Sequence, residues 1–198
     1  KVYGRSAEVI YPPVDVNQFR LGANEREDFY LTASRMVPYK KVPTIVEAFS
    51  RMPNKRLIVI GDGTEMERVK ELASANITVL GYQSFDVLRD HMQRARAFVF
   101  AAEEDFGITP VEAQACGTPV IAYGKGGALE TVRGLDQPEP TGAFFNRQEP
   151  LAICEAVEQF EEAASRFTPH ACRQNALRFS AERFREEITA SVGRRFLG

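Results

Sequence analysis

Ala97-Phe98-Val99-Phe100-Ala101-Ala102-Glu103-Glu104-Asp105-Phe106-Gly107-Ile108-Thr109-Pro110-Val111-Glu112 decides how this chain is read. The first six residues are apolar without a break. Such a run fits a strand covered on both faces. Three acids and a glycine follow, and residues 111–116 then have helical character. The stretch is therefore a strand, a short acidic loop and a helix start. Ligands of open α/β sheets bind outside the carboxyl ends of the strands, so this junction is the first place to look for a site.

Outward from it, strands are expected at 29–34, 56–60, 77–80, 118–122 and 141–145. Helices are expected from Val42, with Ile45, Val46 and Phe49 on one face, and over 65–74, with Met66, Val69 and Leu72 at helical spacing. Ser84 can cap a helix reaching Met92. Further helices are expected at 129–132, 151–160, 169–179 and 181–196. Val9-Ile10-Tyr11 before Pro12-Pro13 reads as a short edge strand, and 14–24 as a loop. Alternating strands and helices predict an α/β fold, a Rossmann-like doubly wound parallel sheet with helices on both faces. No repeat or linker divides residues 1–198, which read as one domain; the helical tail over 165–198 is the one shift in composition.

Bulk properties exclude several classes. A net charge of −2 gives no general basic footprint for nucleic acid. Cys116, Cys154 and Cys172 are scattered and odd in number, which argues against a disulfide framework or a zinc site and for a reducing, cytoplasmic setting. No apolar run reaches the length of a membrane span, and no signal peptide is recognised. The start, Lys1-Val2-Tyr3-Gly4, has no initiating methionine, and the chain is read as a piece of a longer protein.

Several groups can carry chemistry. A helix starting near Gly107 would offer unpaired N–H groups and a partial positive charge, the makings of an anion site. The acids beside it would repel phosphate, so Glu104 and Glu112 fit better as acceptors for sugar hydroxyls. Thr109-Pro110-Val111-Glu112 equally fits a capping box with proline at the first helical position. Glu103 and Asp105 read as solvated charges. Arg35 and Lys40 follow the first strong strand and could neutralise a diphosphate; viewed alone, this loop reads rather as a pair of exposed charges, and Lys41 is the weaker of the two lysines. Gly61-Asp62-Gly63 and Gly124-Lys125-Gly126-Gly127 make neither a dinucleotide fingerprint nor a P-loop. They are tight turns or backbone contacts to a ligand. Glu130 reads as a helix-surface acid, and His91 and His170 as surface or boundary residues. Arg178, Arg183, Arg185, Arg194 and Arg195, interleaved with Glu182, Glu186 and Glu187, read as a solvated helix face.

Taken together these blocks resemble the C-terminal domain of family 4 (group 1) retaining glycosyltransferases, one half of a GT-B fold. The resemblance rests on Glu104 and Glu112 with seven residues between them, continued by Gln114-Ala115-Cys116-Gly117-Thr118-Pro119-Val120-Ile121-Ala122. Ser34-Arg35-Met36-Val37-Pro38-Tyr39-Lys40, Ile60-Gly61-Asp62-Gly63, Leu80-Gly81-Tyr82 and Gly126-Gly127-Ala128-Leu129-Glu130-Thr131-Val132 are similar to further family blocks, in family order. Ile10-Tyr11-Pro12-Pro13-Val14-Asp15 is similar to the segment after the interdomain linker, and Lys41 stands where a glycine is common.

The resemblance implies roles. Arg35 and Lys40 would bind the donor diphosphate and stabilise its departure. Glu104 would contact the transferred sugar, and Glu112 the ribose hydroxyls. The backbone of Phe106, Gly107, Ile108 and Thr109 would meet sugar and phosphate. Gly61 and Gly63 would lie at the donor, with Leu80, Gly81 and Tyr82 bordering the base. The tail resembles bacterial mannosyltransferases of polysaccharide assembly, which puts GDP-mannose first as donor, ahead of UDP-sugars. No cofactor and no metal are implied. The acceptor, a saccharide or lipid-linked sugar, would be bound by an N-terminal domain outside this chain, and the whole enzyme could associate peripherally with the inner face of a membrane. Two other readings are kept: a nucleotide-sugar 2-epimerase, whose arginine-proline-glutamate motif has no counterpart here, and a non-catalytic nucleotide-binding module.

Overall fold

The computed structural model describes residue 4, residues 7–22 and residues 26–196. The expectations on Lys1-Val2-Tyr3, on the end of the 14–24 loop and on the side chains of Arg194 and Arg195 lie outside the described residues.

Six parallel strands form one sheet: β1 (Tyr30–Ala33), β2 (Leu57–Ile60), β3 (Ile77–Gly81), β4 (Ala97–Phe100), β5 (Val120–Tyr123) and β6 (Gly142–Phe145), in the order β3-β2-β1-β4-β5-β6. Tyr30 is in register with Leu57 on one side and Ala97 on the other. The expected Rossmann-like sheet is thus present. Its strand order reverses between β1 and β4, and the reversal opens a crevice at their carboxyl ends.

The apolar run of β4 is continuous because both faces of the sheet are covered. Phe98 and Phe100 point with Leu31, Ala33, Val120 and Ala122 into one core. Ala97 and Val99 point with Tyr30, Val59, Ile121 and Ala143 into the other. The second core is closed by α1 (Val42–Ser50), α2 (Met66–Leu72) and α6 (Pro150–Glu162), and the first by α3 (Phe85–Arg94), α4 (Ile108–Ala115) and α7 (Pro169–Leu177). Two short elements, a 3-10 turn at Pro38–Lys40 and α5 (Ala128–Thr131), follow β1 and β5. Ser84 caps α3 as expected, its Oγ accepting from the Val87 amide at 3.5 Å.

One expectation fails. Val9-Ile10-Tyr11 forms no strand. Two prolines end any pairing there, and the Tyr11 carbonyl instead accepts from the Arg183 guanidinium at 3.0 Å. Val14 alone makes a parallel bridge with Ser180, and its amide donates to the Phe179 carbonyl at 2.8 Å. Within the tail, Ala171, Cys172, Asn175 and Ala176 of α7 are buried, and α7 packs along α4. On α8 (Ala181–Phe196) Arg183 is half-buried and pairs with Glu187 at 2.6 Å, while Glu182, Arg185 and Glu186 are exposed as expected.

The carboxyl end of α4 carries two half-buried cations. Arg173 donates to the Ala115 carbonyl at 3.0 Å, and Arg26 donates to Gly117 and, at 2.7 Å, to Ala95 at the end of α3. Cations at a helix carboxyl end match the macrodipole. Burial lowers the pKa of Arg26, but the guanidinium keeps its charge at any ordinary pH.

Candidate functional site

After β1 the chain turns through Ser34 and Arg35, is anchored by the buried Met36, and enters the 3-10 turn that carries Lys40. After β4 it runs through Ala101 and Ala102 to Glu104. The two loops meet where Lys40 Nζ pairs with Glu104 Oε1. Both side chains are largely buried, 15% and 21% exposed. Lys40 Nζ also lies 5.3 Å from the Tyr39 ring centroid and 5.8 Å from that of Phe100. Lys41 then adopts φ 57° and ψ 28°, the left-handed region. That explains why glycine suits this position.

α4 starts earlier than the sequence suggests. Gly107, at φ 82°, is its N-cap, and Ile108 its first residue. Thr109 is therefore not the cap, and Pro110 falls third rather than first. Proline is still tolerated there because the first-turn amides have no partner within the helix. No side chain caps this end, so the capping-box reading of Glu112 is wrong.

Glu112 instead faces a cleft of about 350 Å³, lined also by Ser34, Arg35, Gly61, Asp62, Tyr82, Gln83, Leu88 and Thr109. Burial raises its pKa to about 7, and no hydrogen-bond or ion-pair partner meets its carboxylate among the described residues. It is a buried acceptor poised for donors. A second cavity of about 430 Å³ adjoins the first and is lined by Pro12, Lys40, Glu104, Phe106, Gly107, Ile108 and Thr109. Thr109 lines both. The Phe106 ring, which borders the second cavity, packs 5.9 Å from Tyr11 and 5.3 Å from Phe179.

The expected residues are gathered on one edge of the sheet, but not in one cluster. Arg35 is exposed and stands with Glu112, while Lys40 stands with Glu104. Tyr82 is 81% exposed on the rim of the Glu112 cleft. Leu80 and Gly81 line a shallow depression with Gly63 on the far side of Asp62.

Both glycine groups act chiefly on the protein itself. A Cβ on Gly61 would overlap the Ser34 carbonyl oxygen, and one on Gly63 the Met36 carbonyl. A Cβ on Gly126 would lie 2.5 Å from the Glu104 carbonyl oxygen, and one on Gly127 would overlap the Phe106 backbone. The Gly127 amide donates to that Glu104 oxygen at 2.7 Å. The glycines let neighbouring loops nest, and the second group seats the acidic loop. Gln83, whose amide donates to the Leu80 carbonyl at 2.7 Å, lines the cleft and was missed. A single glutamine in a turn carries no pattern by which to find it.

The remaining groups line neither of these two cavities. Glu103 pairs with Lys125 at 3.3 Å. Glu130 accepts a hydrogen bond from the Tyr11 hydroxyl, the leading cause of that phenol's raised pKa. His91 is half-buried with Nδ1 2.7 Å from the Val87 carbonyl, and His170 is exposed. All three cysteines are free. Burial pushes the Cys116 and Cys172 thiols up to about 12, which leaves them inert as nucleophiles.

Known proteins are similar to this chain in sequence and in fold. Residues 14–179 match the family model for glycosyl transferases group 1. D-inositol 3-phosphate glycosyltransferase of Mycobacterium avium (strain 104) is 33% identical over 147 residues, covering 64% of this chain and 35% of that protein. In fold the chain is similar to sucrose-phosphate synthase from Thermosynechococcus elongatus, with TM-score 0.81, 23% identity, and coverage of 98% of this chain and 54% of the other. It is also similar to Anabaena Alr3699/HepE in complex with UDP and glucose, with TM-score 0.75, 22% identity, and coverage of 94% and 56%. The chain spans less than half the length of the curated relatives it matches. The family match takes in every strand of the sheet and, Pro12 apart, the lining of both cavities, and the chain belongs to the glycosyl transferases group 1.

Proposed function

We propose that this chain is the donor-binding half of a retaining, metal-independent glycosyltransferase of GT-B architecture. The observation that carries the reading is the setting of the α4 N-terminus. It is uncapped, lies at the β1/β4 reversal, and has Arg35 and Glu112 on one side and Lys40 and Glu104 on the other. A nucleoside diphosphate sugar would place its diphosphate over the α4 amides, its ribose hydroxyls on Glu112 and its base toward Tyr82. Breaking the bond from the anomeric carbon to the phosphate oxygen leaves charge on the diphosphate. Preorganised cations and helix amides stabilise that charge. Arg35 and Lys40 supply the cations, and the reading requires no metal. Glu104, once released from Lys40, accepts a hydroxyl of the transferred sugar.

GDP-mannose is the donor put first, on the resemblance of the tail. The UDP and glucose held by the Anabaena protein make a UDP-sugar the second. The acceptor would be held by the other half of the enzyme, so the chain alone should bind donor and transfer sugar poorly. Calorimetric titration with GDP, UDP and ADP, then with their sugars, tests the reading. Tight UDP binding with none of GDP overturns the mannose preference; no binding of any nucleotide overturns the whole.

A further inference from the structure

Gln114, Thr131 and Asn175 are wholly buried and polar, 0%, 0% and 1% exposed. They come from α4, α5 and α7. Asn175 Nδ2 donates to Gln114 Oε1 at 2.7 Å and to the Thr131 carbonyl at 2.8 Å. Gln114 Nε2 donates to the same Thr131 carbonyl at 2.9 Å and to the Pro110 carbonyl, in the first turn of α4, at 3.1 Å. Thr131 Oγ1 donates to the Gly127 carbonyl at 3.0 Å, and the Gly127 amide donates to the Glu104 carbonyl at 2.7 Å. Outside the cluster, Arg178 donates to Asn175 Oδ1 at 2.8 Å. Hydrogen bonds, joined through the covalent frames of Thr131 and Gly127, thus lead from the tail to the main chain of Glu104.

A pair of leucines would fill this space without needing partners. Two amides are tolerated there only because donors and acceptors all meet, and a satisfied buried network accepts one relative placement of the elements it joins. α7 packs along α4 through small residues, Ala171, Cys172 and Ala176, which by themselves would permit sliding.

We propose that Asn175 is a positioning residue for the cleft. It fixes the first turn of α4 through Gln114, and the Gly126-Gly127 turn through Thr131, so that the uncapped amides and Glu104 keep their mutual spacing. The role in donor binding rests on the functional reading above; the positioning itself does not. The test is hydrogen exchange at the Gly127 amide in the 198-residue chain, comparing wild type, Asn175→Ala and Cys172→Ala. The last variant opens a cavity on the same helix without touching the network. We expect Gly127 to exchange about ten-fold faster or more in Asn175→Ala, and at nearly the wild-type rate in Cys172→Ala. Equal protection in all three, or equal acceleration in both variants, overturns the proposal. Thr131→Val, which cuts the same chain at nearly constant volume, carries the test if Asn175→Ala does not fold. Titration with GDP and UDP adds the functional arm: the nucleotide that binds wild type should bind Asn175→Ala roughly five- to thirty-fold more weakly and Cys172→Ala unchanged. Unchanged affinity in Asn175→Ala removes its role in donor binding. A wild type that binds neither nucleotide sinks the functional reading and leaves the exchange result to judge the positioning.

Discussion

Lys40 and Glu104 pair across the gap between the ends of β1 and β4, so the cation that shares a cavity with the start of α4 is already engaged by a carboxylate. On the proposed reading a diphosphate would take Lys40 from Glu104, and the exchange would free that carboxylate for a sugar hydroxyl. Lys40→Met should weaken nucleoside diphosphate binding by about 10- to 100-fold, the range for losing one charge-assisted contact. Glu104→Gln should leave diphosphate binding intact or tighter and abolish the extra affinity for the sugar-bearing donor. Calorimetry with the two ligands side by side reads both; parallel losses in both variants would show that the pair only holds the loops together.

Arg35 has no such partner among the described residues and stands exposed at the cleft. Arg35→Ala should therefore leave the melting temperature within a degree or two, since exposed substitutions usually change stability by less than about 0.5 kcal/mol. It should weaken diphosphate binding by about ten-fold or more. A fall in melting temperature comparable with that of a core variant would assign Arg35 a structural role.

Glu112 makes stability and binding depend on pH in opposite senses. Its pKa is raised to about 7 in the fold from an ordinary 4.5, by burial. Its contribution to stability is therefore fully present below about 4.5 and lost as pH rises through about 7. Glu112→Gln should match wild type at pH 4.5 and exceed it by about 2–3 kcal/mol at pH 8, as read by urea unfolding at the two pH values. Ribose hydroxyls prefer the ionised carboxylate, so nucleotide affinity should rise with pH between about 6 and 8 in wild type and not in Glu112→Gln. The ligand's own ionisation cancels in that comparison.

Glycine matters at Gly127 and is missing at Lys41. Gly127→Ala would drive a methyl into the Phe106 backbone and should cost about 3 kcal/mol or more, with loss of donor binding. Lys41 sits at φ 57° with a side chain that pays for it; Lys41→Gly should be neutral to stabilising by about 1 kcal/mol. Thermal melts of the two variants should move in opposite directions.

What the sequence made legible follows from periodicity and order. The β4 run, the strand–helix alternation and the Ser84 cap all depend on neighbours in the chain, and each appears close to where it was expected. Glu112 kept two readings because a capping box and a cleft carboxylate share one spacing, and the choice turned on where Gly107 begins the helix. The pairing of Lys40 with Glu104, the nesting of Gly61 on Ser34 and the burial of Asn175 against Gln114 join residues far apart in sequence. Nothing local encodes them. The same holds for α7, whose buried Ala171, Cys172 and Ala176 help close the core from far along the chain.

The bridge between Val14 and Ser180 has a mechanical meaning. The segments leading into and out of the sheet unit run side by side at one point, so flanking chain is attached to it by a double tether rather than at opposite poles. Opposite poles would transmit a pull along the strands. With both segments joined at one point, a pull on them loads the Val14–Ser180 bridge before it loads the strands.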